Sequence, residues 1–235
     1  MLLSSAGIRR HMAAGNIIIE PFKEENLKTV SYDVSLGEWY YRELNPEGGI
    51  TIYNPFDETD VRRIWGGPYR AVPAKEHAER IGISVPEAIA PDDLVIWIAP
   101  GETILCHTEE FIGGRGCVTT LMKARSSLGR NFIEVCKCAG WGDVGYINRW
   151  TMEMTNNSRY YHIPLIVGRR IAQLAFFEVE PVEADYVAQA GKYQATRDVE
   201  ELKKSWRPET MLPKMYEDRE AKLALERVQA MGGRR

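Results

Sequence analysis

The chain has 235 residues, a formal net charge of −3 and 44% hydrophobic residues, which fits one domain with a sizeable core. That charge gives no overall field to gather nucleic acid or an anionic membrane, so a phosphate-bearing ligand must be held by local cations. No apolar run approaches the ~20 residues needed to span a bilayer, and the start, MLLSSAGIRRHMAAGN, lacks the apolar stretch of a secretion signal. The expectation is a cytoplasmic protein with no nucleic-acid or membrane partner.

In chain order, SSAGIRRHMAAGN reads as a short helix, with Ile8 and Met12 on one face and Gly15 as its stop, followed by the strand NIII. SYDVSL alternates as a strand, and Asp33 on it is either a buried polar partner or a turn-facing acid. Residues 43–92 are rich in Pro and Gly and read as inserted loops over a β core, with AKEHAERIGI forming one or two helical turns. From Leu94 the pattern is strongly β: LVIWIAP, GETILCHTEEF and GCVTTLMKA are separated by Pro-Gly and Gly-Gly turns, as in a barrel or jelly roll. In RWTMEMTN, Trp150, Met152 and Met154 point one way and Thr151, Glu153 and Thr155 the other. IPLIVGRRIAQLAFFEVEPV adds two strands around Gly168, with Arg169 and Arg170 in a solvated turn. AQAGKYQATRD is either an ordinary mobile tail or a segment closing over a ligand, and two helices interrupted near Pro208 and Pro213 end the chain.

The chemistry concentrates between Ala124 and Asn156. Arg125, Ser126 and Ser127 offer the charge and hydroxyls that a phosphate chain requires, and Arg130 adds a second cation to the same pocket. Glu153 lies on the polar side of a half-buried strand, and Asp143 sits in a glycine-flanked turn. A carboxylate so placed either serves as a general base on water or pairs with Arg125 or Arg130 to satisfy its burial. His107-Thr108-Glu109 matches the H-x-E of zinc deaminases, but no Pro-Cys pair exists to complete a PCxxC. Cys136 and Cys138, two apart, would present both thiols on one side if extended, as metal ligands or as two small packed residues. With Cys106 and Cys117 they show no disulfide spacing and are expected reduced.

On RSSLGR, AGWGDVGY, TMEMTN, GRRIAQLAFFEVEP and AGKYQ, in that order after SYDVSL, the sequence resembles the dCTP deaminases of the dCTP deaminase/dUTPase superfamily. The resemblance implies an all-β, distorted jelly-roll or β-barrel fold of the dUTPase-like type with short helices. It would cover 1–198, with an irregular insertion at 43–92, and 199–235 would be a C-terminal helical extension. It implies zinc-independent hydrolytic deamination of dCTP to dUTP and ammonia, with Glu153 activating water and Arg130 lining the pyrimidine pocket. Substrate binding would fall to Arg125, Ser126, Ser127, the backbone of Ala139, Asp143 at the deoxyribose, Trp150, Thr151 and the closing Lys192, Tyr193 and Gln194. A homotrimer with sites between subunits is implied, with Mg2+ travelling on the substrate triphosphate and no protein-bound metal. Asp143 also matches the acid with which dUTPases activate water, so a bifunctional enzyme giving dUMP, or a dUTPase, is the alternative. A non-catalytic dNTP-binding regulator is the reading from another class. The chain departs from the family at Cys136-Lys137-Cys138, where the family has His-x-Thr, and at Gly142, where it has Ile.

Overall fold

The protein is described by a computed structural model over residues 1–232. Helix α1 (Ser5–Ala13) starts at Ser4, whose hydroxyl accepts from the Gly7 amide, and it buries Ile8. Strand β1 (Ile17–Glu20) leads to β2 (Tyr32–Glu43), a twelve-residue strand that continues through the aromatic run Trp39-Tyr40-Tyr41.

The insertion is more ordered than its prolines and glycines suggest. Asp57 accepts the Thr59 amide at 2.8 Å and so caps α2 (Glu58–Ile64). Strand β3 (Trp65–Arg70) pairs with β2 despite Gly66, Gly67 and Pro68, because its place at a sheet margin leaves those residues few ladder bonds to make. After β4 (Val72–Pro73), α3 (Ala74–Ile81) runs for two turns and stops at Gly82 in the left-handed conformation, φ 72°.

The central strands are β5 (Leu94–Ile98), β6 (Thr103–Gly114) and β7 (Val118–Ala124). A single helical turn, α4 (Ser126–Arg130), leads to β8 (Ile133–Val135), β9 (Trp141–Gly142), β10 (Ile147–Asn156), β11 (Ile163–Ile166) and β12 (Arg170–Glu178). All pairings are antiparallel. A nine-stranded sheet runs β8-β10-β6-β2-β12-β7-β9, with β1 added on β6 and β3 on β2, and β11-β5-β4 forms a three-stranded sheet. The fold is thus mostly β, curled antiparallel sheet with a few short helices.

Its core takes alternate residues from each strand: Tyr32, Val34 and Leu36 of β2, Met152 and Met154 of β10, and Leu174 and Phe176 of β12. Asp33, between two core residues, is 2% exposed. Its carboxylate accepts from Arg170 Nη1 at 2.8 Å and Gln173 Nε2 at 3.3 Å, with Arg125 Nε at 3.6 Å. Asp33 is therefore a buried partner. Arg170 opens β12 to reach it, while only Arg169 occupies the exposed turn, which corrects the expectation that both arginines are solvated.

Beyond residue 198 the chain returns to the sheet. Asp198 caps α5 (Val199–Ser205), and Trp206 lies over the Arg149 guanidinium at 4.8 Å and beside His107 at 4.7 Å. Pro208 opens a 3-10 turn that buries Met211 and Leu212 against Tyr41, Val61 and Leu105. Helix α6 (Arg219–Gly232) carries Leu223, Leu225 and Val228 exposed. Among the described residues no helix is long and apolar enough to cross a membrane.

Candidate active site

A cavity of about 770 Å³ opens on one face of the β2-β6-β10 sheet. Its floor is set by register: Glu153 lies opposite Leu105 and Thr155 opposite Thr103, while Thr151 pairs with His107. Because β10 alternates, Trp150, Met152 and Met154 go into the core while Thr151 and Glu153 face the cavity, as the sequence pattern requires. Trp150 still reaches the cavity edge, its indole N–H donating to Ile112 O at 2.9 Å.

Glu153 is half-buried, and burial pushes its carboxyl above the usual range, with Lys137 pulling part of the way back. Among the described residues no salt bridge joins it to Arg125 or Arg130. Arg125 instead donates to Arg170 O at 3.1 Å and faces Asp33. The purely structural reading, in which Arg125 or Arg130 satisfies Glu153, is not realised among the described residues.

The wall beside Glu153 is the loop after β8. Cys136 and Lys137 both hold left-handed backbone, φ 61° and 43°, a conformation that non-glycine residues adopt at a cost. The turn is clamped by Cys136 N–H to Glu153 O at 3.0 Å and Ala139 N–H to Cys136 O at 2.7 Å. Lys137 and Ala139 thereby face the cavity. The segment is not extended, so the two thiols diverge: Cys136 is buried near Met122 Sδ, and Cys138 is exposed. His107 is also committed, Nδ1 donating to Thr108 O at 2.8 Å and Nε2 accepting from Trp39 N–H at 3.2 Å. Burial holds its pKa down to about 4, and both ring nitrogens are used by the backbone.

Asp143 lies exposed on the turn after β9, lining the same cavity. The departure at Gly142 has a steric cause. A Cβ there would fall 2.2 Å from Thr120 Oγ1 and 2.4 Å from the Trp150 ring, so the indole fills the space a side chain would use. Gly142→Ala is expected to cost about 1–3 kcal/mol through overpacking, read as a lower denaturant midpoint with an unchanged m-value. An unchanged midpoint would contradict this packing.

The tail closes the far side. Lys192 and Tyr193 line the cavity, Tyr193 N–H donates to Tyr186 Oη at 3.1 Å, and Lys192 pairs with Asp218. Gln194 is buried and accepts from Ile147 N–H at 2.8 Å while donating to Gly145 O at 3.0 Å. Its amide anchors the tail to the Asp143 turn, which positions its two neighbours. The segment is thus packed against the cavity.

One chain therefore gathers Glu153, Asp143, Ala139, Trp150, Thr151, Lys192 and Tyr193 around a single cavity. Arg125, Ser126, Ser127 and Arg130 do not line it; the two serines and Arg130 are exposed on α4. Sequence reasoning missed Tyr186, Trp65 and Met211 as cavity residues. The aromatic at 146, in the quoted turn, was the one signal, since Tyr146 sits edge-on to both Trp150, at 5.4 Å, and Tyr186, at 5.1 Å.

A family model described as dCTP deaminase-like matches residues 2–179. A protein named dCTP deaminase, dUMP-forming, from Nanoarchaeum equitans is 29% identical over 194 residues, which are 82% of this chain and 92% of that protein. One named dCTP deaminase, from Natronomonas pharaonis, is 30% identical over 198 residues, 83% of this chain and 90% of that one. Among solved structures, the 2'-deoxycytidine 5'-triphosphate deaminase from Agrobacterium tumefaciens is similar at a TM-score of 0.49 and 16% identity, over 74% of this chain. The match spans 47% of that structure's chain, about half its length.

Proposed function

Since the chain belongs to the dCTP deaminase-like family, we propose that it deaminates a cytosine deoxynucleotide, dCTP first of all, by adding water at C4 and expelling ammonia. The observation that carries this reading is Glu153: a half-buried carboxylate facing a nucleotide-sized cavity, held above its ordinary pKa and with no arginine paired to it among the described residues. Its ionised form takes a proton from water as the oxygen attacks C4, and the same carboxyl then passes that proton to the departing nitrogen. On this reading Thr151 and the Ala139 backbone orient the base, Asp143 meets the deoxyribose, and Lys192 and Tyr193 close over the phosphates and sugar; that all five line the cavity supports it. Arg125, Ser126, Ser127 and Arg130 would reach the cavity of a neighbouring subunit, so this reading carries a homotrimer with it. Magnesium arrives on the triphosphate, as part of the substrate. Ammonia release from dCTP is the direct test.

A second product is favoured by one observation. Relatives are named dUMP-forming, and Asp143 shares the cavity with Glu153. If Asp143 activates a second water, pyrophosphate and dUMP follow deamination. dUTP without pyrophosphate would confine the enzyme to deamination.

The electrostatics set a pH dependence. The base must be ionised, so kcat/KM falls as pH drops through the raised pKa of Glu153. The acid limb then lies above the ordinary glutamate value of about 4.3. Lys137 favours the ionised carboxylate, so Lys137→Met should move the limb to higher pH. A limb unmoved by that substitution would show that another group governs it.

A further inference from the structure

The family match ends at residue 179, yet the wall of the cavity includes Met211 and Pro213. Their place relative to Glu153 follows from strand register. Glu153 on β10 lies opposite Leu105 on β6, and Leu105 lies opposite Tyr41 on β2. Directly opposed residues share a face about 5 Å apart, so Glu153, Leu105 and Tyr41 form one row across three strands. Leu105 and Tyr41 are packed with Val61, Met211 and Leu212. One strand away from the carboxylate, the cavity therefore becomes a largely apolar annex lined by Leu105, Met211, Pro213 and Trp65, with the exposed Glu43, opposite Trp65, at its margin. Away from this row the lining carries Lys137, Thr151 and Asp143 as well as the rings of Trp141, Tyr146, Trp150 and Tyr186.

A cytosine ring has one polar and one apolar edge. With C4 over Glu153, the amino group, N3 and O2 form a polar edge, and C5 and C6 form an apolar one. C5 is bonded to C4 and is the ring position beside it whose hydrogen can be replaced without touching the groups that react. Resting on the deaminase reading above, we infer that the annex receives a substituent on C5, so that the site takes cytosine deoxynucleotides carrying a small 5-alkyl or 5-hydroxyalkyl group. Met211 sets the size limit. Tyr53 and Trp65, which meet through their polar ends, also line the cavity, and the oxygen of a hydroxyalkyl group can meet that polar margin. The reaction is unchanged: water adds at C4, ammonia leaves, and the C5 substituent is retained in the uracil product.

The test compares kcat/KM for dCTP, 5-methyl-dCTP and 5-hydroxymethyl-dCTP in the wild type and in Met211→Trp, with Met211→Phe as the milder filling where the first does not fold. The wild type is expected to use at least one 5-substituted nucleotide as well as dCTP. Filling the annex should lower the ratio of 5-substituted to unsubstituted kcat/KM by tenfold or more. Turnover of dCTP with tenfold discrimination against both 5-substituted nucleotides overturns the inference and leaves the deaminase reading standing. So does a ratio that neither variant moves. Ammonia from none of the three overturns the deaminase reading; the annex is then read by binding to Glu153→Gln, where weaker binding of both 5-substituted nucleotides than of dCTP overturns it.

Discussion

Glu153→Gln should lower ammonia release from dCTP by ~10²–10⁴ or more, the range expected for loss of a positioned general base, while nucleotide binding persists. The amide keeps the shape of the carboxyl but cannot take a proton from water. Packing argues that the substitution is tolerated, because the side chain faces the cavity and makes no salt bridge among the described residues, while the core face of β10 is supplied by Met152 and Met154. Removing a charge that burial already disfavours should leave stability equal or slightly raised at neutral pH. The sign follows from linkage: a carboxyl whose folded pKa is raised loses stability as pH climbs through its ordinary range, and glutamine abolishes that loss. Saturating dCTP should raise the Tm of the variant as it does for the wild type. Near-wild-type ammonia release would falsify the role of Glu153, whereas loss of both activity and ligand-induced Tm shift would mark a folding or binding defect.

Two inactive proteins should make an active one when mixed. Glu153 and the cluster at Arg125 to Arg130 lie apart in a single chain, the first in the cavity and the second around the exposed α4. If the cluster completes the cavity of a neighbour, Glu153→Gln and Arg130→Ala each disable every site of their own trimers. In trimers reassembled from an equal mixture, a site works when Glu153 and Arg130 come from different, intact donors. Random assembly in a closed ring makes about one site in four meet that condition. Recovery to roughly a quarter of wild-type activity is therefore expected after mild dissociation and remixing. No recovery despite verified subunit exchange would place the cluster outside the reacting site.

Much of the β fold and part of the cavity lining were legible in the sequence. Strand β10 was readable because one buried face forces a period of two, and that period alone assigns Glu153 to the cavity side. The one or two helical turns expected in AKEHAERIGI are the two turns of α3, which ends where Gly82 takes the left-handed stop. Other features depend on partners far along the chain. Arg170 looked like a turn residue because its acceptor, Asp33, lies 137 positions away. Strand β3 hid behind its glycines, since its pairing with β2 comes from tertiary position rather than β-propensity. Met211 was illegible as a cavity residue because a short apolar pair among charges gives no period, and only packing on Leu105 and Tyr41 assigns it a surface. The paired CKC thiols failed for a local reason: two successive left-handed residues turn the chain and separate the side chains.

The most direct measurement is a product balance on dCTP with magnesium, following ammonia, dUTP, dUMP and pyrophosphate together in wild type and Glu153→Gln. The expected result is ammonia equal to total uracil nucleotide in the wild type, with both lost in the variant. Pyrophosphate then distinguishes dUMP formation from deamination alone. Nucleotide binding with no ammonia from the wild type, or pyrophosphate released from dCTP with the cytosine intact, would contradict the assignment of Glu153 as the base of a deaminase.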